Sequence, residues 1–200
     1  MQLIAMGIYL ALGDSISIDD YTGVQGGGAA SQLARKLGLD LLDLTRDGNT
    51  THGVLADLAR APAAADIVTL TVGGNDLLGG DFPRAILRRL HQIAQRIQPL
   101  GARVVVNTVY DPSDGDNEVG RRQLGLSWLA TIELRRRLNA VNADIGKLAV
   151  AHGFLLADLE RLFHGHGVAS GEPWFVNLIE PNLAGATAIA EHWHALLTSQ

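Results

Sequence analysis

Cysteine is absent from the 200 residues. Disulfides, thiolate nucleophiles and cysteine-ligated metal sites are therefore excluded, and a reducing, cytoplasmic setting is expected. Excess positive charge is absent too. The net charge is −5 and the pI is about 5.7. Neither a nucleic-acid-binding face nor a polybasic membrane anchor is expected of such a chain. No apolar run is long enough to span a bilayer, so no membrane insertion is expected. Residues 1–13 carry no charge, but Asp14 ends the run and no Lys or Arg precedes it. That pattern predicts a buried first strand rather than a signal peptide. Repeats, low-complexity tracts and linkers are missing, so residues 1–200 read as one domain. A chain of this length buries roughly 70% of its unfolded surface and folds without a metal or a disulfide.

What is present is globular: 47% hydrophobic and 18% charged residues,. Apolar runs of strand length alternate with helical patterns. Strands are predicted at 8–12, 41–44, 67–72, 103–109 and 154–156. Helices are predicted at 32–39, 51–60, 82–97, 127–151 and 184–197. The run Ile67-Val68-Thr69-Leu70-Thr71-Val72 suits a strand covered on both faces. Leu134, Leu138, Val141, Ile145 and Leu148 make one apolar stripe. Alternation of this kind predicts an α/β fold: a three-layer α/β/α sandwich on a parallel sheet of about five strands with right-handed crossovers. Two long loops remain, 111–125 and 158–180. The crevice of such a sheet lies beyond the strand C-termini. The loops holding Ser15, Gly48 and Asn75, with the 158–180 segment, should meet at one edge.

Three of those loops carry chemistry-bearing residues. Ser15, in Gly13-Asp14-Ser15-Ile16, is either a nucleophile on a tight turn or a helix N-cap. It is not the G-x-S-x-G elbow, because residue 17 is serine. Gly48, in Asp47-Gly48-Asn49-Thr50-Thr51, can bring a backbone N–H close to a ligand, or is part of an ordinary strand-to-helix loop. Asn75, in Gly73-Gly74-Asn75-Asp76, offers an amide donor for an oxyanion, or closes an Asx turn.

Together the three segments resemble the SGNH/GDSL hydrolase superfamily. The resemblance runs along nearly the whole chain. It includes residues 67–76, the strand 104–108 with Val109-Tyr110-Asp111-Pro112, and the ending Pro181-Asn182-x-x-Gly185-x-x-x-Ile189-Ala190. It implies a flavodoxin-like fold and hydrolysis of a small ester, with an esterase or a sugar-ester deacetylase as the expected types. By resemblance Ser15 is the nucleophile, and the Ser15 N–H, the Gly48 N–H and the Asn75 amide form the oxyanion hole. No cofactor is implied.

The last family block normally reads Asp-x-x-His-Pro and supplies the base and its orienting acid. Here it reads Asn177-Leu178-Ile179-Glu180-Pro181, so Glu180 stands at the histidine position and Asn177 at the aspartate position. Three outcomes follow. Glu180 is itself the base, its pKa raised by an apolar pocket. Alternatively, a histidine from the 158–180 loop serves, His166 before His164, with Glu180 orienting it. In the third outcome there is no base, and the chain is a binding module that keeps the pocket.

Other features are expected to be structural. His192 and His194 lie two apart on a helix and point to different faces, and no third metal ligand accompanies His164 and His166. Gly26-Gly27-Gly28 lacks the phosphate-loop spacing. The acids Asp111, Asp114, Asp116 and Glu118 read as a solvated loop or, with Trp128 just beyond, as a segment that covers the crevice as a lid or acyl-chain wall. Arg84, Arg88 and Arg89, and likewise Arg135, Arg136 and Arg137, read as solvated helix faces. Trp174 and Phe175 read as core.

Overall fold

The computed structural model describes residues 7–199. The opening six residues of the uncharged N-terminal run lie outside the described residues. Five strands form one parallel sheet: β1 Ile8–Gly13, β2 Asp40–Thr45, β3 Ile67–Thr71, β4 Arg103–Asn107 and β5 Leu155–Ala157. Their order is β2-β1-β3-β4-β5. Chain direction across the sheet therefore reverses between β1 and β3. The crevice at such a switch point is where open α/β sheets bind ligands.

The helices are α1 Ala29–Leu37, α2 Thr51–Asp57, α3 Gly74–Leu78, α4 Pro83–Ile97, α5 Asn117–Leu124, α6 Trp128–His152, α7 Leu159–Phe163 and α8 Leu183–Thr198. A short antiparallel hairpin, β6 Phe175–Val176 with β7 Glu180–Pro181, stands apart from the main sheet.

Alternation along the strands makes the three layers. Leu10, Leu12, Val68, Leu70, Val104 and Val106 face one core, filled from α2, α4 and α6 by Val54, Ile86, Leu90, Ile93, Ile145 and Leu148. Tyr9, Ala11, Ile67, Val105 and Ala157 face the other, filled from α1, α7 and α8 by Leu33, Leu159, Phe163, Ile189 and Trp193. Two polar groups inside the cores are paired, as burial requires. Tyr9 Oη meets Thr69 Oγ1 at 2.7 Å, and Trp193 Nε1 donates to Asn107 Oδ1 at 2.7 Å.

The two long loops are more ordered than their composition implies. The 111–125 segment contains α5, capped by Asp116, whose carboxylate accepts from Glu118 N at 2.7 Å. The 158–180 segment contains α7 and the first strand of the hairpin. The first helix starts three residues earlier than the pattern suggests and stops at Gly38, left-handed at φ 64°. Elements of two to eight residues leave too few turns or pleats for periodicity to register.

Candidate active site

The first strand ends on Gly13, at φ 135°. A Cβ here would sit 1.8 Å from the Thr71 carbonyl oxygen. Only glycine lets the end of β1 lie this close to the end of β3. Asp14 N then donates to Thr71 O at 2.9 Å. The chain turns at once into a single 3-10 turn, Ser15–Ser17, capped by the Asp14 carboxyl, which accepts from Ile16 N at 3.3 Å. Ser15 is 7% exposed and opens onto a cleft. Burial pushes the Asp14 carboxyl up to about 7, against the lowering effect of the Ile16 N–H and Thr71, with the Asp76 charge adding to the rise,.

Asn75 lies in the first turn of α3 and lines the same cleft. Its Nδ2 donates to the Asn49 carbonyl at 3.0 Å. The second hydrogen on Nδ2 is left for a ligand. Asn49 itself is buried, and its own amide donates to Gly13 O and to Asp57 Oδ2, both at 3.0 Å. The ends of β1, β2 and β3 are thus tied through one asparagine. Gly48, just before it, is exposed and left-handed at φ 66°. That conformation leaves its N–H without a side chain in front of it. It lies in the loop that Asn75 holds, outside the cleft lining.

Asp76 is not a helix cap. Its buried carboxylate accepts from Thr51 N at 2.9 Å, from Thr51 Oγ1 and from Arg89 Nη2 at 3.0 Å. Arg89 also meets Asp81. Arg89 is therefore no solvated face: its side chain is 17% exposed and crosses from α4 to the loops. Arg135 departs from expectation in the same way. It pairs with Asp111 at 3.2 Å and lines the cleft. Helix periodicity places both on polar faces but cannot show that an acid from a distant loop meets them.

The hairpin carries Glu180. Strand β7 packs against the Ser15–Ser17 turn. Phe175 pairs with Pro181 and Val176 with Glu180, so the turn between them is 177–179. Asn177 fills a left-handed position at φ 55°, a place asparagine tolerates. Tyr110, buried against Phe163 and Phe175, donates its hydroxyl to the Ile179 carbonyl and anchors the tip. Burial raises the Glu180 carboxyl; the N–H groups of Glu180 and Ile179 oppose the rise and the nearby Asp47 charge adds to it. Tyr21, hydrogen-bonded to Asp47 and beside Glu180, is pushed up to about 12. Glu180 thus sits between the Ser15 turn and the loop of Gly48.

The histidines are placed differently. His166 stacks flat on Trp174, 3.7 Å between centroids, and its Nδ1 meets the Glu172 carbonyl at 3.1 Å. A carbonyl only accepts, so Nδ1 carries the hydrogen. His164 Nδ1 meets Asp114 Oδ1 at 2.5 Å, with the imidazole 77% exposed. Neither ring lines the cleft that holds Ser15 and Asn75, and neither does Glu180. Trp174 is half-buried and Phe175 is core. The glycine run points inward as well: Gly26 N and Gly28 N both donate to Asp19 at 2.8 Å. Of the acids after β4, Asp111, Asp114 and Asp116 are engaged in turns, pairs and caps rather than merely solvated.

The cleft has a cavity volume of about 110 Å³ and opens to solvent. Its wall is mostly apolar, with Leu77, Leu78, Leu134, Leu138, Val168 and Leu178 among its residues. Helices α5 and α6 supply one side of it, the position expected of the segment before Trp128. Among the described residues no helix is long and apolar enough to cross a membrane. Sequence reasoning missed Asn49 and Tyr110 as organisers of the site. A buried asparagine between Gly48 and a helix-capping threonine is the one local signal for the first.

Comparison with known proteins agrees with this fold. A lipase from Streptomyces rimosus is 28% identical over 159 residues, 67% of this chain and 59% of that protein. Lipase 1 of Streptomyces coelicolor is 25% identical over 150 residues, 64% of this chain and 55% of that one. The chain thus matches less than two thirds of the length of these relatives. The solved extracellular lipase of S. rimosus superimposes with a TM-score of 0.71 at 22% identity, covering 95% of this chain and 99% of the other. A lipolytic G-D-S-L protein from Veillonella parvula gives 0.74 at 19% identity, covering 96% and 97%. An acetyl-xylooligosaccharide esterase from Geobacillus gives 0.72 at 16%, covering 100% and 98%. The model of the GDSL-like lipase/acylhydrolase family matches residues 11–188. The chain belongs to that family.

Proposed function

We propose that the protein is a serine hydrolase of carboxylic esters with an apolar acyl group. The observation that carries this reading is that Ser15 and Asn75 line one apolar cleft at the sheet's switch point. Ser15 Oγ adds to the ester carbonyl carbon and its proton passes to the Glu180 carboxylate. The Ser15 N–H, the Gly48 N–H and Asn75 Nδ2 hold the oxyanion. Glu180 returns the proton to the departing alkoxide as the C–O bond breaks. Water then repeats the sequence on the acyl-enzyme, releasing the acid and free Ser15. A glutamate is an ordinary choice only if its pKa is raised toward neutrality, and burial acts on Glu180 in that direction. The leucine-lined wall suits a longer acyl chain better than an acetyl group.

Glu180 is preferred to His166 because β7 packs on the Ser15 turn, whereas His166 is held between Trp174 and the Glu172 carbonyl. A second reading is a binding module that keeps the cleft without a base. It is favoured by the Ser15 hydroxyl, which has no side-chain hydrogen-bond partner among the described residues. Intact mass after exposure to a fluorophosphonate separates the two. One adduct, lost in Ser15→Ala, is expected of the hydrolase. No adduct between about pH 6 and 9, where a tuned base operates, supports the binding module instead.

A further inference from the structure

Two histidines meet away from the cleft. His91 lies on α4, and His152 is the last residue of α6, the helix packed beside it. His152 Nε2 and His91 Nδ1 are 3.4 Å apart, and both rings are half-buried. The ring centroids are 5.7 Å apart with the planes at 49°, so the rings meet nearly end to end. On its other side, His152 Nδ1 lies 3.4 Å from Gln98 Oε1. An amide oxygen only accepts, so Nδ1 carries the hydrogen and Nε2 presents its lone pair to His91. Phe154 stacks on the His152 ring, 5.4 Å between centroids, and backs it.

Metal-bound imidazoles hold their second N–H on such an acceptor, which sets both the tautomer and the direction of the ring. The spacing is selective as well. Two nitrogens each about 2.05 Å from one ion lie about 3.3 Å apart at the tetrahedral angle, and about 2.9 Å apart at a right angle. The separation of 3.4 Å is the tetrahedral one, the geometry of zinc. The negative end of the α6 dipole also favours a cation at His152. Among the described residues no group of three or more His, Asp or Glu is placed to hold a metal. Two positions on an ion held by this pair are therefore left to water.

We propose that His91 Nδ1 and His152 Nε2 bind a zinc ion that clips the end of α6 to α4. A turn of each ring about its Cβ–Cγ bond aims both lone pairs at one point. Without the ion, a hydrogen on His91 Nδ1 bridges the gap to His152 Nε2. Binding relocates it: Nδ1 gives that hydrogen to water and Nε2 of the same ring takes one, so the neutral rings release no net proton. Neither ring lines the cleft, so the zinc site stands or falls independently of the acyl-ester reading.

Zinc chloride itself is the probe, with magnesium chloride as the hard cation that imidazole does not favour. The chain, free of any added histidine tag and 15N-labelled in its histidines, is titrated with each salt. The His91 and His152 ring-nitrogen resonances should shift with zinc and not with magnesium. Excess zinc should also raise the melting temperature, as a ligand of the folded state does. His91→Gln and His152→Gln should each abolish both effects, and glutamine is a good helix former at these half-buried positions. Gln98→Ala keeps both ligands and should weaken zinc binding by about tenfold or more. Binding should fade at acid pH, because both nitrogens must offer lone pairs. Absence of the imidazole shifts in zinc overturns the proposal. A rise in melting temperature that survives either histidine substitution also overturns it, because the ion would then sit elsewhere on the chain.

Discussion

Asn75 is held by Asn49: its side-chain amide donates to the Asn49 carbonyl at 3.0 Å, while the Asn49 side chain grips the Gly13 carbonyl at 3.0 Å. The proposed oxyanion donor and the turn that carries Ser15 are thereby referenced to one buried residue. Preorganised donors gain their effect from such fixed placement.

Replacing Asn75 by alanine should lower kcat by about 10²–10³ with KM little changed. Asn49→Ala should also lower kcat, because Asn75 loses its register. It should in addition lower the melting temperature, since Asp57 and Gly13 O lose a buried partner. Steady-state kinetics and a thermal melt on both variants check this. An unaltered kcat in Asn49→Ala removes the positioning role.

The rising limb of the pH–rate profile should report Glu180. Burial raises its carboxyl above the ordinary value, so activity should climb as pH rises through that elevated value and the base loses its proton. Glu180→Gln should abolish the limb. His166→Ala should leave it in place.

The family's usual pair can be rebuilt on this backbone. Glu180→His with Asn177→Asp puts an imidazole on β7, the strand that packs against the Ser15–Ser17 turn. Position 177 is left-handed at φ 55°, which aspartate accepts as readily as asparagine. The double variant should be at least about tenfold faster than wild type on a soluble ester. Its rising limb should move toward about 6.5, the ordinary histidine value. A slower enzyme would mean that the hairpin does not aim residue 180 at Ser15.

Asp14 makes the fold sensitive to pH. Its carboxyl is raised by burial to about 7, so the folded state binds this proton more tightly than the unfolded chain does. Its contribution to stability is full below the unfolded value near 4 and is lost progressively as pH rises to about 7. Asp14→Asn should be more stable than wild type at pH 8, by on the order of a few kcal/mol, and nearly equal to it at pH 4. Urea unfolding at the two pH values gives the comparison.

Arg89 joins α4 to the loops of β2 and β3 through Asp76. Arg89→Ala leaves the Asp76 carboxylate buried with only Thr51 to meet it. A loss of about 3 kcal/mol in urea unfolding is expected. A loss under about 1 kcal/mol, the worth of an exposed pair, would place this arginine back among solvated side chains.

Much of the molecule was legible in the residues. The five strands follow from short β-branched and apolar runs, and the layers from alternation between two cores. Ser15, Gly48 and Asn75 fall at strand ends, so the sheet order alone brings their loops to one edge. The expectation that Glu180 stands at the usual histidine position likewise rests on Pro181, Asn182 and Gly185. Local pattern determines these because hydrophobic period and turn chemistry act within a few residues.

Tertiary structure decided the rest. The pattern of 158–180 does not show that it folds into α7 and half a hairpin, because those elements are held where Tyr110, from a distant part of the chain, stacks on Phe163, which in turn meets Trp174. The partners of Arg89 and Arg135 come from loops far away in sequence. The fate of His166 turned on a flat stack against Trp174, and that of Glu180 on β7 lying against the Ser15 turn. Burial, long-range pairing and the direction of a side chain arise only when separate segments exclude water from the same space. No short stretch of sequence carries that information.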